Sequence, residues 1–237
     1  MANKKKTVKR GNNSSSKVVF WTIGIIAVFL LGFIFLGNQS KPVEKAKTNE
    51  TIDYSNEPFL GKDSAPVSII EFGDYKCPNC KNFSEEVVPV IKQELVDTGK
   101  AKFYFFNDSF ISTDSIRSAK FAESVYQELG NETFWKFHDL LYSKQPKDPK
   151  YEKMDVYDEQ FLVNTLKEIA SDSDVNKVVE NFHAKKSDAA WQKDMDYAEK
   201  LGVSGTPTIF VDGKLFTGSQ LQDLIDMVDK AAQQKGK

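Results

Sequence analysis

Between Lys17 and Gly37 the chain reads VVFWTIGIIAVFLLGFIFL, nineteen residues without a charge. At about 1.5 Å of rise per residue, a helix of this length just crosses a hydrocarbon layer of about 30 Å. Lys4, Lys5, Lys6, Lys9, Arg10 and Lys17 all precede the run. Such a basic excess holds the N-terminus in the cytoplasm and sends the chain beyond the run outside. A cleavable signal peptide is the alternative, but the run is long for one and no small-x-small site stands close after it. The expectation is therefore a basic cytoplasmic N-terminus at 1–17, a transmembrane signal anchor at 18–36 and an exterior remainder.

Charge follows the same division. Taking the six leading cations out of a formal total of −2 leaves −8 on everything after them. A mildly acidic exterior domain is not built to grip nucleic acid. With 40% hydrophobic and 28% charged residues, the chain has enough apolar material for one real core. Residues 37–56 are the exception, rich in Lys, Asn, Thr, Glu and Ser with few large apolar side chains. They read as a flexible linker, able to span on the order of 25 Å.

Beyond the linker, Val67, Ile69, Ile70 and Phe72 mark a mostly buried strand within Pro66 to Asp74, and AKFYFFN from Ala101 marks a second. Between them Phe83, Val87, Val90, Ile91 and Leu95 fall on one helical face, with Pro89 expected to kink the helix and Gly99 to stop it. Helical periods then continue through Ile116, Ala119, Ala122 and Val125, through Phe134, Phe137 and Leu141, and on past Trp191 to Ala198. Thr208 to Val211 and Lys214 to Phe216 flank Asp212-Gly213, the strongest two-residue hairpin signal. A last amphipathic helix carries Leu221, Leu224, Ile225 and Val228. The order predicts an α/β, thioredoxin-like sheet over 57–237 with a helical insertion at about 108–200.

Both cysteines of the chain, Cys77 and Cys80, lie in EFGDYKCPNCKNF, where the first strand hands over to a helix. Cys77 should sit at the helix N-cap, Pro78 in the first turn and Cys80 one turn in, with both sulfurs on one side. The helix N-terminus favours a thiolate, which makes Cys77 the candidate nucleophile and the more buried Cys80 the resolving thiol. A structural staple is one alternative, but closing so short a loop stabilises by only about 2 kcal/mol. A zinc clip is another, and it lacks ligands, because His138 and His183 stand at no zinc spacing. In an exterior compartment disulfides persist, and a redox pair fits. Asp172, Asp174 and Asn176 alternate in the manner of a calcium loop, but lack its mid-loop glycine and terminal Glu and read better as a helix N-cap. Asp74 and Lys76 read as solvated charges beside the pair.

EFGDYKCPNC, the helical insertion and GVSGTPTIFVDG together resemble the DsbA-like branch of the thioredoxin superfamily. With the anchor included, the chain is most similar to the membrane-anchored Bdb-type thiol-disulfide oxidases of Gram-positive bacteria, from about Glu57 onward. The resemblance implies a protein disulfide oxidoreductase in which Cys77 forms the mixed disulfide and Cys80 resolves it. It implies that Thr206-Pro207 is a cis-proline loop that pairs with an extended substrate strand, and that Glu71 is a buried carboxylate handling the resolving thiol's proton. Pro78 and Asn79 between the cysteines would tune the potential, neutral Asn79 replacing the histidine of the enterobacterial oxidases. It further implies reduced, unfolded exported proteins as substrates, a quinone-linked membrane thiol oxidase as reoxidant, and no cofactor or metal on this chain. A reductase or isomerase of the same fold, or a peptide-binding chaperone, are the alternatives.

Overall fold

The computed structural model describes residues 52–235, so the apolar run 18–36 and the basic segment before it lie outside the described residues. Among the described residues no helix is long and apolar enough to cross a membrane. Five strands form one sheet in the order β1-β3-β2-β4-β5. They are β1 (Phe59–Leu60), β2 (Val67–Gly73), β3 (Ala101–Asn107), β4 (Thr208–Val211) and β5 (Lys214–Leu215). β2 and β3 are parallel, and β4 runs antiparallel to both β2 and β5.

The period-two pattern of the strands divides the core. Val67, Ile69, Phe103 and Phe105 face one side with Ile209 and Val211, while Ile70, Phe72, Tyr104, Phe106 and Phe210 face the other. On the first side pack the helical run after β2, most of the insertion and the C-terminal helix, while Tyr197, Ala198 and Leu201 at the end of the insertion pack on the other. That run begins with α1 (Pro78–Asn82) and passes through α2 (Val88–Ile91), with π-helical turns at Phe83–Val87 and Lys92–Val96. The interruption expected at Pro89 therefore takes the form of widened turns: Val88 N–H reaches back five residues to Phe83, just before the proline that has no N–H to give. Gly99, at φ 77°, ends the run, and Lys100 N–H closes onto the Leu95 carbonyl at 3.0 Å.

The insertion between β3 and β4 consists of α3 (Thr113–Ser143), a 3₁₀ turn at Pro149–Lys153, α4 (Glu159–Lys167), α5 (Asp172–His183) and α6 (Asp188–Lys200). Gly130 breaks the helical dihedrals of α3, which is why its two apolar stripes, before and after it, do not share one phase. Ile116, placed on the apolar face by its spacing, is 36% exposed. Ser171 caps α5 by accepting from Asp174 N–H at 3.2 Å, the N-cap role expected of that acidic stretch. The chain closes with α7 (Leu221–Lys235), whose Leu224 and Val228 join the core. Asp212 and Gly213 both take positive φ, 47° and 74°, as the turn between β4 and β5 requires.

Two features differ from the sequence expectation. β1 has only two residues and no pattern to announce it; Asn131 of α3 holds it by accepting from Phe59 N–H at 2.8 Å and donating to the Phe59 carbonyl at 2.7 Å. The stretch read as linker to residue 56 is packed from Ile52 onward. Ile52 is buried on the outer face of the sheet, and the Tyr54 ring lies 4.7 Å from that of Tyr104. These two side chains cover apolar surface that β2 and β3 would otherwise expose.

Candidate active site

The site is built where β2 ends. Gly73 lies so close to Phe105 that a Cβ there would come within 2.4 Å of the buried ring, so a side chain at this point would displace the ring. Cys77 N–H then bonds the Asp74 carbonyl at 3.0 Å, and Cys77 becomes the N-cap of α1 with extended dihedrals (φ −74°, ψ 118°). Pro78 occupies the first turn, where a missing N–H costs nothing. Cys80 N–H donates to Cys77 Sγ at 3.3 Å, so the sulfur takes the place of the usual capping oxygen. Both cysteines are free thiols. Cys77 is 5% exposed and Cys80 fully buried, while Pro78 and Asn79 between them face solvent.

Opposite the pair lies the segment before β4. The Thr206-Pro207 bond is cis, and the Cys77 thiol donates to the Thr206 carbonyl at 3.3 Å. Residues 129 positions apart are thereby brought into contact. The Thr206 hydroxyl is buried with no hydrogen-bond partner. Glu71, on the same face of β2 as Val67 and Ile69, lies between Phe105 on β3 and Ile209 on β4. It is 0% exposed, and neither carboxylate oxygen has a partner.

These surroundings push the ionisable groups apart. The hydrogen bond from the Cys80 thiol, with the N–H groups of Cys80 and Asn79, brings Cys77 down to about 7 against the opposing effect of burial. Burial, then the hydrogen bond and charge of Cys77, drive Cys80 well above the ordinary thiol range. Burial, then the Cys77 charge, holds Glu71 well above the usual carboxylate range. One thiol is set to ionise near neutrality beside a second thiol and a carboxyl that keep their protons.

Asp74 and Lys76 are not solvated charges; each is 1% exposed. Asp74 Oδ1 accepts from Lys76 N–H at 2.8 Å, and its Oδ2 accepts from Phe110 and Ile111 N–H at 3.0 and 3.1 Å. Lys76 Nζ donates to Asp114 Oδ2 at 3.0 Å and to the Tyr151 and Met154 carbonyls at 2.8 Å each, 4.9 Å above the Tyr157 ring. Burial works against Asp114, yet hydrogen bonds from Ser112, Val156, Tyr157 and Lys76 hold it below the ordinary carboxylate range. Two charges flanking the cysteine motif thus tie the insertion to it. The available signal was their place: polar residues in the three-residue turn between a buried strand and a capped helix have backbone groups to satisfy.

The histidines stand apart from this constellation. His138 is buried among aromatic rings, shares a hydrogen bond with the Tyr75 hydroxyl at 3.1 Å, and is pushed down to about 3 by burial, so it is neutral. His183 lies at the surface beside Glu159, 2.8 Å away. Among the described residues no group of three or more His, Cys, Asp or Glu side chains could hold a metal ion.

Residues 53–230 match the thioredoxin family model, described as "Thioredoxin". A probable disulfide bond formation protein D of Bacillus anthracis is 39% identical over 172 residues, 73% of this chain and 77% of the relative. The disulfide bond formation protein D of Bacillus subtilis is 36% identical over 162 residues, 67% of this chain and 69% of that one. The crystal structure of oxidised BdbD from Bacillus subtilis superposes with a TM-score of 0.69 at 31% identity, covering 76% of this chain and 95% of that one. Over the residues that carry the strand-to-helix cysteine pair and the cis-proline segment, the chain belongs to the thioredoxin family, among the DsbA-like protein-disulfide oxidoreductases that include the BdbD proteins.

Proposed function

We propose that the protein is a membrane-anchored oxidase that passes a Cys77–Cys80 disulfide to reduced, unfolded exported proteins outside the cytoplasm. The asymmetry of the two thiols supports their roles, Cys77, held at about 7, being the better leaving group and Cys80 the thiol that retains its proton, and the relatives named disulfide bond formation protein D support the direction. A substrate thiolate attacks Cys77 Sγ of the oxidised pair, and the bond to Cys80 breaks. In this reading the departing Cys80 sulfur takes a proton from the Glu71 carboxyl, which is buried without a hydrogen-bond partner and bears electrostatically on the Cys80 thiol. A second substrate thiolate then attacks the substrate sulfur of the mixed disulfide, and Cys77 leaves as a thiolate. Two electrons have passed to the pair, and a disulfide has formed in the substrate.

Pro78 and Asn79 tune the pair through the first turn, where Asn79 offers its N–H but no charge to Cys77. Thr206 and Pro207 line the approach to Cys77 and supply main-chain groups for an extended substrate. The cationic N-terminus and the charge-free run 18–36 support an anchor with the domain outside. A quinone-linked membrane thiol oxidase would restore the disulfide, which also fits a tethered enzyme.

One trapping experiment in cells tests roles and location together. Full-length Cys80→Ala should accumulate mixed disulfides on Cys77 that pellet with membranes and are digested by protease added outside. Cys77→Ala should trap few. Equal trapping by both variants, or adducts protected from outside protease, would overturn the roles or the location respectively.

A further inference from the structure

A groove of ≈ 480 Å³ opens between the β3–α3 loop, α6 and the segment before the cis-proline. Phe110, Trp191, Met195 and Val203 supply its apolar walls. Phe110 is 56% exposed, although its own backbone N–H is fixed by Asp74 Oδ2 at 3.0 Å. The main chain here is held while the ring is presented to solvent, which is not what burial alone would select. The facing wall is equally fixed: Trp191 Nε1 donates to Ser109 Oγ at 2.7 Å, and Ser109 N–H to Met195 Sδ at 3.3 Å. The groove is preformed.

Its position relates it to the cysteine pair. Asp108 N–H bonds the Gly73 carbonyl at 2.8 Å, so one wall hangs from the end of β2. Val203 and Ser204 form the other end, at most about 10 Å of extended chain from Thr206, whose carbonyl meets Cys77. A polypeptide joined to Cys77 reaches the groove within a few residues. Its charge is one-sided: the exposed carboxylates of Asp196 and Glu199 line it, Asp108 lies buried at its floor, and among the described residues no Lys or Arg lines it. Lys120, 4.3 Å above the Trp191 ring, is paired with Asp188 at 3.0 Å and is not among the lining residues.

We propose that this groove is a substrate subsite that takes an aromatic or large aliphatic side chain of the polypeptide held on Cys77, flanked by lysine or arginine paired with Asp196 and Glu199. The inference rests on the reading that Cys77 forms the mixed disulfide. It adds a preference to it: cysteines in cationic, aromatic segments are oxidised ahead of those in acidic ones.

Stopped-flow reduction of the oxidised full-length protein in detergent tests this with two peptides of equal length, each with one cysteine and one phenylalanine, flanked by lysines or by glutamates. Every peptide rate is divided by the dithiothreitol rate of the same variant. The lysine peptide should react about fivefold faster or more at low salt, and the preference should shrink as salt screens it. Asp196→Lys with Glu199→Lys should abolish the preference, and Phe110→Ser should slow both peptides by about threefold or more. Equal rates for the two peptides, or a preference that survives charge reversal, would overturn the subsite while leaving the redox reading intact. Failure of dithiothreitol and both peptides alike would overturn both.

Discussion

At the scale of single residues the chemistry depends on two buried groups that keep a proton and one that loses it. Cys77, capped by Cys80 N–H and bonded by the Cys80 thiol, is lowered to about 7, whereas Cys80 and Glu71 are raised by burial. For the reduced protein the signs oppose each other. The depressed Cys77 adds stability as pH rises from its folded value of about 7 toward the ordinary thiol range; the raised Glu71 removes stability as pH climbs above the ordinary carboxylate range. Thiolate absorbance should therefore rise once near pH 7 with the amplitude of a single thiolate. Glu71→Leu should slow substrate oxidation about tenfold or more at that pH. It should leave the titration near pH 7, because a protonated Glu71 contributes no charge to lose. A two-thiolate rise near the ordinary value, or a downward shift of the first titration in Glu71→Leu, would contradict these assignments.

The place of the cysteines and Pro78 at a helix start and the face of Glu71 were legible in the sequence, because helix capping and strand period act locally, whereas the cis Thr206-Pro207 bond was an expectation of the family resemblance. Asp74 and Lys76 were not. Charged side chains in a turn look solvated until the insertion, folded from residues far along the chain, closes over them and supplies partners from Asp114 to Met154. Glu71's burial was readable from its strand face, but its lack of any hydrogen-bond partner became visible only with β3 and β4 in place.

At the scale of elements, one ammonium joins two separate parts of the insertion to the cysteine-bearing turn. Lys76 reaches α3 at Asp114 and the 3₁₀ turn region at Tyr151 and Met154 together. Removing one member of a buried ion pair strands the other, which costs about 3–5 kcal/mol. Lys76→Met should lower stability by that order in denaturant unfolding and raise amide exchange across 149–157 before the sheet. Stability within about 1 kcal/mol of the unsubstituted protein would show that the pair is dispensable. The same scale explains what the periodicities missed. β1 has too few residues to carry a pattern and depends on Asn131, and Ile52 and Tyr54 lie in a polar stretch whose average conceals two side chains that bind the sheet. By contrast, β2, β3 and the β4–β5 hairpin match their sequence signals because each is read from its own residues.

For the whole molecule, direction of electron flow is the central question. The fold and family admit donors and acceptors of disulfides alike, with reference potentials from about −270 mV for thioredoxin to about −120 mV for DsbA. Asn79 withholds the positive charge that a histidine would give the thiolate, yet the Cys80 thiol and two backbone N–H groups converge on Cys77. Stabilising the reduced form weakens the disulfide, and in the proposed reading the pair draws electrons from substrates as they emerge unfolded outside the membrane. The reduction potential of the Cys77–Cys80 couple, equilibrated against glutathione at pH 7, tests this most directly. A value more positive than about −200 mV is expected for an oxidase, and one at or below that, toward thioredoxin's about −270 mV, would contradict the proposed direction.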